Sequence, residues 1–167
     1  MNDDLTRQDI EKMQAEIEHR KYDLMPGIIE EVKRTRAFGD LSENYEYKAA
    51  KQEQRRNMSR IRYLERMIAS AHVIEDSSSA DEVGLYDKVE ILLVEDDEHD
   101  TIQVVTTVRC DPLSGYISKE SPLGRAVLGH KAGERVTVTV SDKVQYTVEI
   151  LSIEKQSDSG EAPLMPY

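Results

Sequence analysis

The sequence predicts a two-domain α+β protein: an N-terminal antiparallel helical hairpin followed by a small antiparallel sheet carrying one short helix. Three observations lead there. The first seventy-odd residues carry apolar side chains at intervals of three and four, the signature of amphipathic helices. From about residue 83 the period changes to two and β-branched residues dominate, the signature of strands. Between them lies "EDSSSADE", a small polar stretch with no periodicity, typical of a linker. The expected organisation is a helical domain over 1–76, a linker over 77–82, a sheet domain over 83–155 and a disordered tail over 156–167.

The first helix is read from Ile10, Met13, Ile17, Leu24, Ile28 and Val32, which form one narrow seam. Thr6 is its expected N-cap, with Asp9 three residues on to return the bond. Pro26 lacks a backbone donor and crowds the preceding turn, so a kink or break is expected near Met25–Gly27. The second helix is read from Asn44 to Ala71, through Tyr47, Ala50, Gln54, Asn57, Ile61, Leu64, Ile68 and Ala71. Its spacing is that of a heptad seam, polar in the first half and apolar in the second. Long helices joined by a few residues run antiparallel. In the second domain "DKVEILLVE", "TIQVVTTVRC", "ERVTVTVS" and "VQYTVEILSIE" are the expected strands, with "EDDEHD" as an acidic hairpin turn. "SPLGRAVLG" has the grammar of a short helix: Ser121 as N-cap, Pro122 in the first turn, Gly129 as stop.

Composition narrows the function classes. One cysteine, Cys110, excludes an internal disulfide and a cysteine zinc site, and fits a reducing cytoplasm. The N-terminal stretch has no secretory signal pattern and no window has the apolar run of a membrane span, so no membrane partner is expected. The four histidines are scattered without ligand spacing. A net charge of −11 argues against nucleic acid as a partner of the whole surface. The charge is uneven, however: residues 1–76 hold 14 Lys and Arg against 16 Asp and Glu, while residues 77–167 hold 8 against 17. Within the first part, Lys48 to Arg66 contains seven basic residues and two acids, a local basic stripe. Such a stripe is either a solvated helix face or a phosphate-binding surface.

The turn between the helices, "GDLSENYEY" (Gly39–Tyr47), holds three carboxylates. Local physics accounts for them: Gly39 ends one helix, Asp40 caps the next and Glu43 closes a capping box. The same spacing also presents two hard oxygen donors to one point. Two carboxylates bind Mg²⁺ weakly unless another molecule completes the coordination. Both accounts stand at this level.

"GDLSENYEYKAAK" followed by a basic helix, then "ISKESPLGRAVLG" and a closing "VEILSIE" strand, resembles the Gre family of bacterial transcript cleavage factors, in particular its GreA type, over about Thr6 to Glu154. The resemblance implies a coiled-coil hairpin joined to an FKBP-like domain, acting as a monomer. It implies that the second domain docks on bacterial RNA polymerase while the hairpin enters the secondary channel. There the tip acids, Asp40 and Glu43, would help retain a Mg²⁺ ion, so that the polymerase itself cuts the 3′ end of backtracked nascent RNA. Arg36, Lys51 and Arg55 match the family's basic patch and would contact that RNA. Ser42, Asn44 and Tyr45 would support the tip, although Tyr45 stands where such proteins usually carry a small residue. Ser121, Pro122 and Leu123 are expected at the polymerase-docking motif. "CDPLSGYIS" departs from the acid-rich pattern usual before this strand. Two other functions fit parts of the chain: a Gre-like polymerase inhibitor, and an FKBP-like prolyl isomerase or chaperone. The latter needs an aromatic-lined pocket, yet residues 77–167 contain only four aromatics, all Tyr.

Overall fold

The computed structural model describes residues 3–39 and 44–166. The chain divides into two compact units: a helical unit over residues 10–72, and a second unit that joins residues 4–9 to residues 73–166.

The helical unit is built from α1 (Arg7–Glu18), α2 (Met25–Arg36) and α3 (Tyr45–Ser70). Thr6 and Asp9 form the expected capping box: the Thr6 N–H donates to Asp9 Oδ2 at 2.8 Å and the Asp9 N–H to Thr6 Oγ1 at 3.2 Å. The break expected near Pro26 takes a milder form. A π-helical turn, His19–Leu24, joins α1 to α2, with the Met25 N–H reaching back five residues to the Arg20 carbonyl. The wide turn loosens the ladder just before Pro26 enters the first turn of α2, where its missing donor costs little. Helical backbone therefore continues through Leu24 and Met25.

Contacts between the helices pair rising positions with falling ones. Glu16 binds Arg60, Arg20 binds Asn57, and Arg34 reaches Glu46. Met13, Ala50, Ile61 and Leu64 supply the apolar burial. The middle of the packing is polar. Arg60 and Asn57 are 5 % and 1 % exposed, and both are satisfied: Arg60 Nε and Nη2 donate to Glu16, and Asn57 exchanges bonds with the Arg20 side chain and carbonyl.

The second unit contains β1 (Asp4–Leu5), while β2 (His72–Val73) lies where the chain enters it; the Ile74 N–H donates to the Leu5 carbonyl at 2.9 Å. Its main sheet comprises β3 (Lys88–Leu93), β4 (Glu98–Val105), β5 (Tyr116–Ser118), β6 (Arg135–Ser141) and β7 (Val144–Glu154), in the order β5-β4-β3-β7-β6. Buried Val89 and Ile91 alternate with exposed Lys88 and Glu90. They join Ile102, Val104, Val138, Val148, Ile150 and Val127 of α4 (Pro122–Val127) in one core. Asp97, in the acidic turn between β3 and β4, adopts φ 52°, which aspartate tolerates.

Two expectations for this unit are corrected. The sheet is mixed, because β5 pairs parallel to β4, Gln103 opposite Tyr116. The strand expected to run to Cys110 ends at Val105. A 3₁₀ turn at Thr107–Arg109 swings Arg109 into the interior, and a second at Pro112–Ser114 returns the chain beside β4. Gly115, at φ 84°, closes that return.

The tail differs from the disorder expected of it. Arg109 is fully buried, and its guanidinium grips Asp158 through two bonds of 2.6 and 2.9 Å, the Ala162 carbonyl at 2.6 Å and Asp9 at 3.0 Å. Ala162 is buried, and the Met165 N–H donates to the Val108 carbonyl at 2.7 Å. A buried guanidinium needs carboxylate partners, and the tail supplies one of them.

Candidate functional site

The ends of α2 and α3 that flank the turn are pinned by one residue pair. Thr35 is buried at the end of α2, with Oγ1 donating to the Glu31 and Val32 carbonyls at 2.8 and 3.2 Å. Its own carbonyl accepts the Asn44 side-chain amide at 2.6 Å. Asn44 Oδ1 in turn accepts the Tyr47 N–H at 3.0 Å, which makes Asn44 the N-cap of α3. On the α2 side the Ala37 N–H donates to Lys33 and the Phe38 N–H to the Thr35 carbonyl, and Gly39 follows at φ 95°.

This corrects the capping account of the acids. The helix begins at Tyr45, with Asn44 as its cap, four residues beyond the Asp40 position that account required. The physical reason lies in the amide. A carboxylate could accept from Tyr47 but has no proton to donate to the Thr35 carbonyl, whereas the Asn44 amide does both. Asp40, Ser42 and Glu43 lie outside the described residues. Among the described residues no cluster of three or more His, Cys, Asp or Glu side chains could hold a metal ion.

Arg34 braces the same end. It pairs with Glu31 of its own helix at 2.6 Å and with Glu46 of α3 at 3.3 Å. The hydrogen bond from Arg34 holds the Glu31 carboxyl below the usual carboxylate range. The Arg34 guanidinium also lies 5.2 Å from the centroid of Phe38, and Lys48 Nζ lies 5.5 Å from the ring of Tyr45.

The basic patch residues are only partly assembled. Arg36 and Arg55 are exposed, in the last turn of α2 and on α3. Lys51 is half-buried, with Nζ donating to Gln54 at 3.0 Å. Arg60 belongs to the interior with Glu16, so it drops out of the basic stripe. Tyr45 is exposed, whereas Tyr47 is half-buried, in keeping with its place on the seam. Sequence reasoning passed over Phe38 and Arg34. Phe38 is the chain's one phenylalanine, and its position beside the turn was the available signal.

In the second unit the Ser121 hydroxyl accepts the Gly124 N–H at 3.0 Å and donates to the Ser118 carbonyl at 2.7 Å, so it is committed to capping α4. Pro122 is exposed, and Leu123 packs against the core. Gly124 permits this close approach, since a Cβ there would lie 2.1 Å from the Ser118 carbonyl oxygen.

Comparison with known proteins assigns the family. The profile "Transcription elongation factor, N-terminal" of the GreA/GreB type matches residues 4–73, and the GreA/GreB C-terminal profile matches residues 78–155. Transcription elongation factor GreA of Oenococcus oeni is 40% identical over 152 residues, 90% of this chain and 94% of that protein. GreA of Thermotoga maritima is 42% identical over 141 residues, 84% of this chain and 90% of that protein. The crystal structure of GreA factor homolog 1 of Thermus thermophilus covers 93% of this chain and 100% of that one at 25% identity, with a TM-score of 0.42. The prolyl isomerase alternative is set aside, because both halves of the chain match elongation-factor domains in order. The chain belongs to the GreA/GreB family of transcription elongation factors.

Proposed function

We propose that this protein binds bacterial RNA polymerase, enters its secondary channel with the helical unit as an antiparallel coiled-coil hairpin, and stimulates cleavage of backtracked RNA by the polymerase. The observation that carries this is the family assignment across both domains, with the motif Gly39–Tyr47 at the turn between α2 and α3. The opposed pairing of α1 and α2 with α3 supports the hairpin. The second unit, FKBP-like in this proposal, docks on the polymerase through the segment around Ser121, Pro122 and Leu123.

Asp40 and Glu43 are the residues that would hold a Mg²⁺ shared with the polymerase. Their chemistry fits that ion: both are hard oxygen donors, and two of them leave most of its six positions for another molecule. When bound, such an ion would supply Lewis-acid stabilisation of phosphate charge and a more acidic water. The chain's own contribution is delivery and orientation. Asn44 takes over the capping of α3, so the acids need not divide their oxygens between helix and ion. The bond from Asn44 to the Thr35 carbonyl ties the two helix ends together. Arg36, Lys51 and Arg55 attract the phosphates of the extruded RNA without reading its sequence.

The test uses elongation complexes backtracked by defined lengths. Added protein is expected to yield 3′ cleavage products and restore extension. Asp40→Ala and Glu43→Ala should each abolish stimulated cleavage at unchanged melting temperature and polymerase binding. Normal cleavage with both variants would refute the assigned roles. Blocked nucleotide addition without cleavage products would make the protein an inhibitor of the same family.

A further inference from the structure

Phe38 and Tyr45 bracket the turn and are left in water, 56 % and 79 % exposed. Exposing a large ring forgoes the burial that would otherwise favour it. The chain has only nine aromatic residues, eight Tyr and one Phe. Among the described residues, two of the three most exposed rings fall within this one stretch, the third being Tyr22 at 73 %. Each bracketing ring also has a cation against it. Arg34 stands over Phe38 and is itself fixed by Glu31 and Glu46, so that ring sits on a braced support. Lys48 stands over Tyr45 one turn along α3.

An exposed ring beside cations and exposed arginines is the composition of a surface for unpaired nucleic acid. Bases stack on the aromatic faces, the cations answer the phosphates, and no sequence is read because every base has a π face. Arg36 follows the Arg34 brace by two residues, and Arg55 and Arg56 continue the exposed charge along α3.

Building on the proposed function, we propose that Phe38 and Tyr45 are base-stacking residues for the single-stranded 3′ segment of backtracked RNA. They hold its unpaired bases on either side of the acidic turn while the basic residues hold its phosphates. The pair would set how firmly the extruded RNA is retained, independently of which base is at its end. Both are positioning residues in this role, acting on the bases and not on the cleaved bond.

The experiment compares backtracked complexes whose extruded nucleotides are intact with otherwise identical complexes in which they are abasic. With the wild-type protein, the concentration giving half-maximal cleavage should rise by roughly tenfold on abasic RNA, the scale of one lost stacking contact. The double variant Phe38→Ala/Tyr45→Ala should show a similar rise on intact RNA and little further effect of abasic substitution, with each single variant falling between. Tyr45→Phe should restore the wild-type behaviour, whereas Tyr45→Leu should not. Equal cleavage of intact and abasic RNA by the wild-type protein would overturn the proposal, and this arm needs no variant to fold. If Phe38→Ala and Tyr45→Ala weaken binding to polymerase complexes that are not backtracked as much as to backtracked ones, the proposal is also overturned, since the rings would then be meeting polymerase protein. If cleavage still fails with Asp40→Ala in either case, the underlying function stands and only the stacking role falls. If Asp40→Ala and Glu43→Ala both cleave normally, the function beneath it falls as well.

Discussion

Asn44 performs two tasks that an ionised aspartate in its place could not combine. It accepts from Tyr47 and donates to the Thr35 carbonyl, so one amide caps α3 and ties it to α2. Asn44→Ala should cost about 1 kcal/mol for the cap and a comparable amount for the lost cross-bond. Asn44→Asp separates the two: aspartate caps as well as asparagine, yet it would face the Thr35 carbonyl with no proton to donate. We expect Asn44→Asp to lower stability by about 1–2 kcal/mol in urea unfolding. Stability equal to wild type would show the cross-bond to be idle. Arg109 is a second residue whose environment dictates its worth. Removing it with Arg109→Ala would leave the buried Asp9 carboxylate without its cation, with hydrogen bonds from Thr6 and Thr106 remaining, and should destabilise by about 3–5 kcal/mol in the same urea measurement. Neither role was legible in the sequence. Sequence reasoning makes Asp40 the cap, with Glu43 closing the box, and leaves Asn44 only a supporting role at the tip. Arg109 finds Asp9 and Asp158 at separations of 100 and 49 residues, where no periodic signal operates.

Among the elements, the helices were the most legible, because their seams repeat over many turns and Thr6–Asp9 is a local cap. The π-helical turn was not legible in detail: the sequence marks that Pro26 disturbs a helix, but not how the backbone accommodates it. β5 was missed because three residues are too few to show alternation, and its parallel pairing depends on the two 3₁₀ turns before it. The polar middle of the helical packing carries its own pH dependence. Burial pushes the Glu16 carboxyl up, but hydrogen bonds from Arg60 and Arg20 outweigh it and hold its pKa below the ordinary 4.5. A carboxyl depressed on folding stabilises above its unfolded pKa and loses that contribution as pH falls through the folded value. The melting temperature of the wild type should therefore fall more steeply than that of Glu16→Gln as pH drops from about 5 to 3. Parallel curves would remove Glu16 from the acid response.

For the whole molecule, the division of charge has a functional counterpart. The second half carries most of the net negative charge, while Arg36 and Arg55 are exposed on the helices flanking the turn; in the proposed function the arginines attract RNA phosphates and the acidic half does not. Stimulated cleavage should weaken as ionic strength rises, and the slope should flatten in Arg36→Ala and Arg55→Ala, measured as the half-maximal concentration across a salt series. An unchanged slope would take these arginines out of RNA contact. The family was legible because two sequence-local motifs, at Gly39–Tyr47 and Ser121–Gly129, lie in order along the chain. The tail was not, since its polar, proline-containing sequence shows no pattern until Arg109 is seen to need Asp158. Finally, the bond between Asn44 and Thr35 closes the frame just outside the acidic residues, with Gly39 completing the other border. Neither acid is a partner in that bond, so exchanging the acids at positions 40 and 43 should leave this tie between the two helices in place.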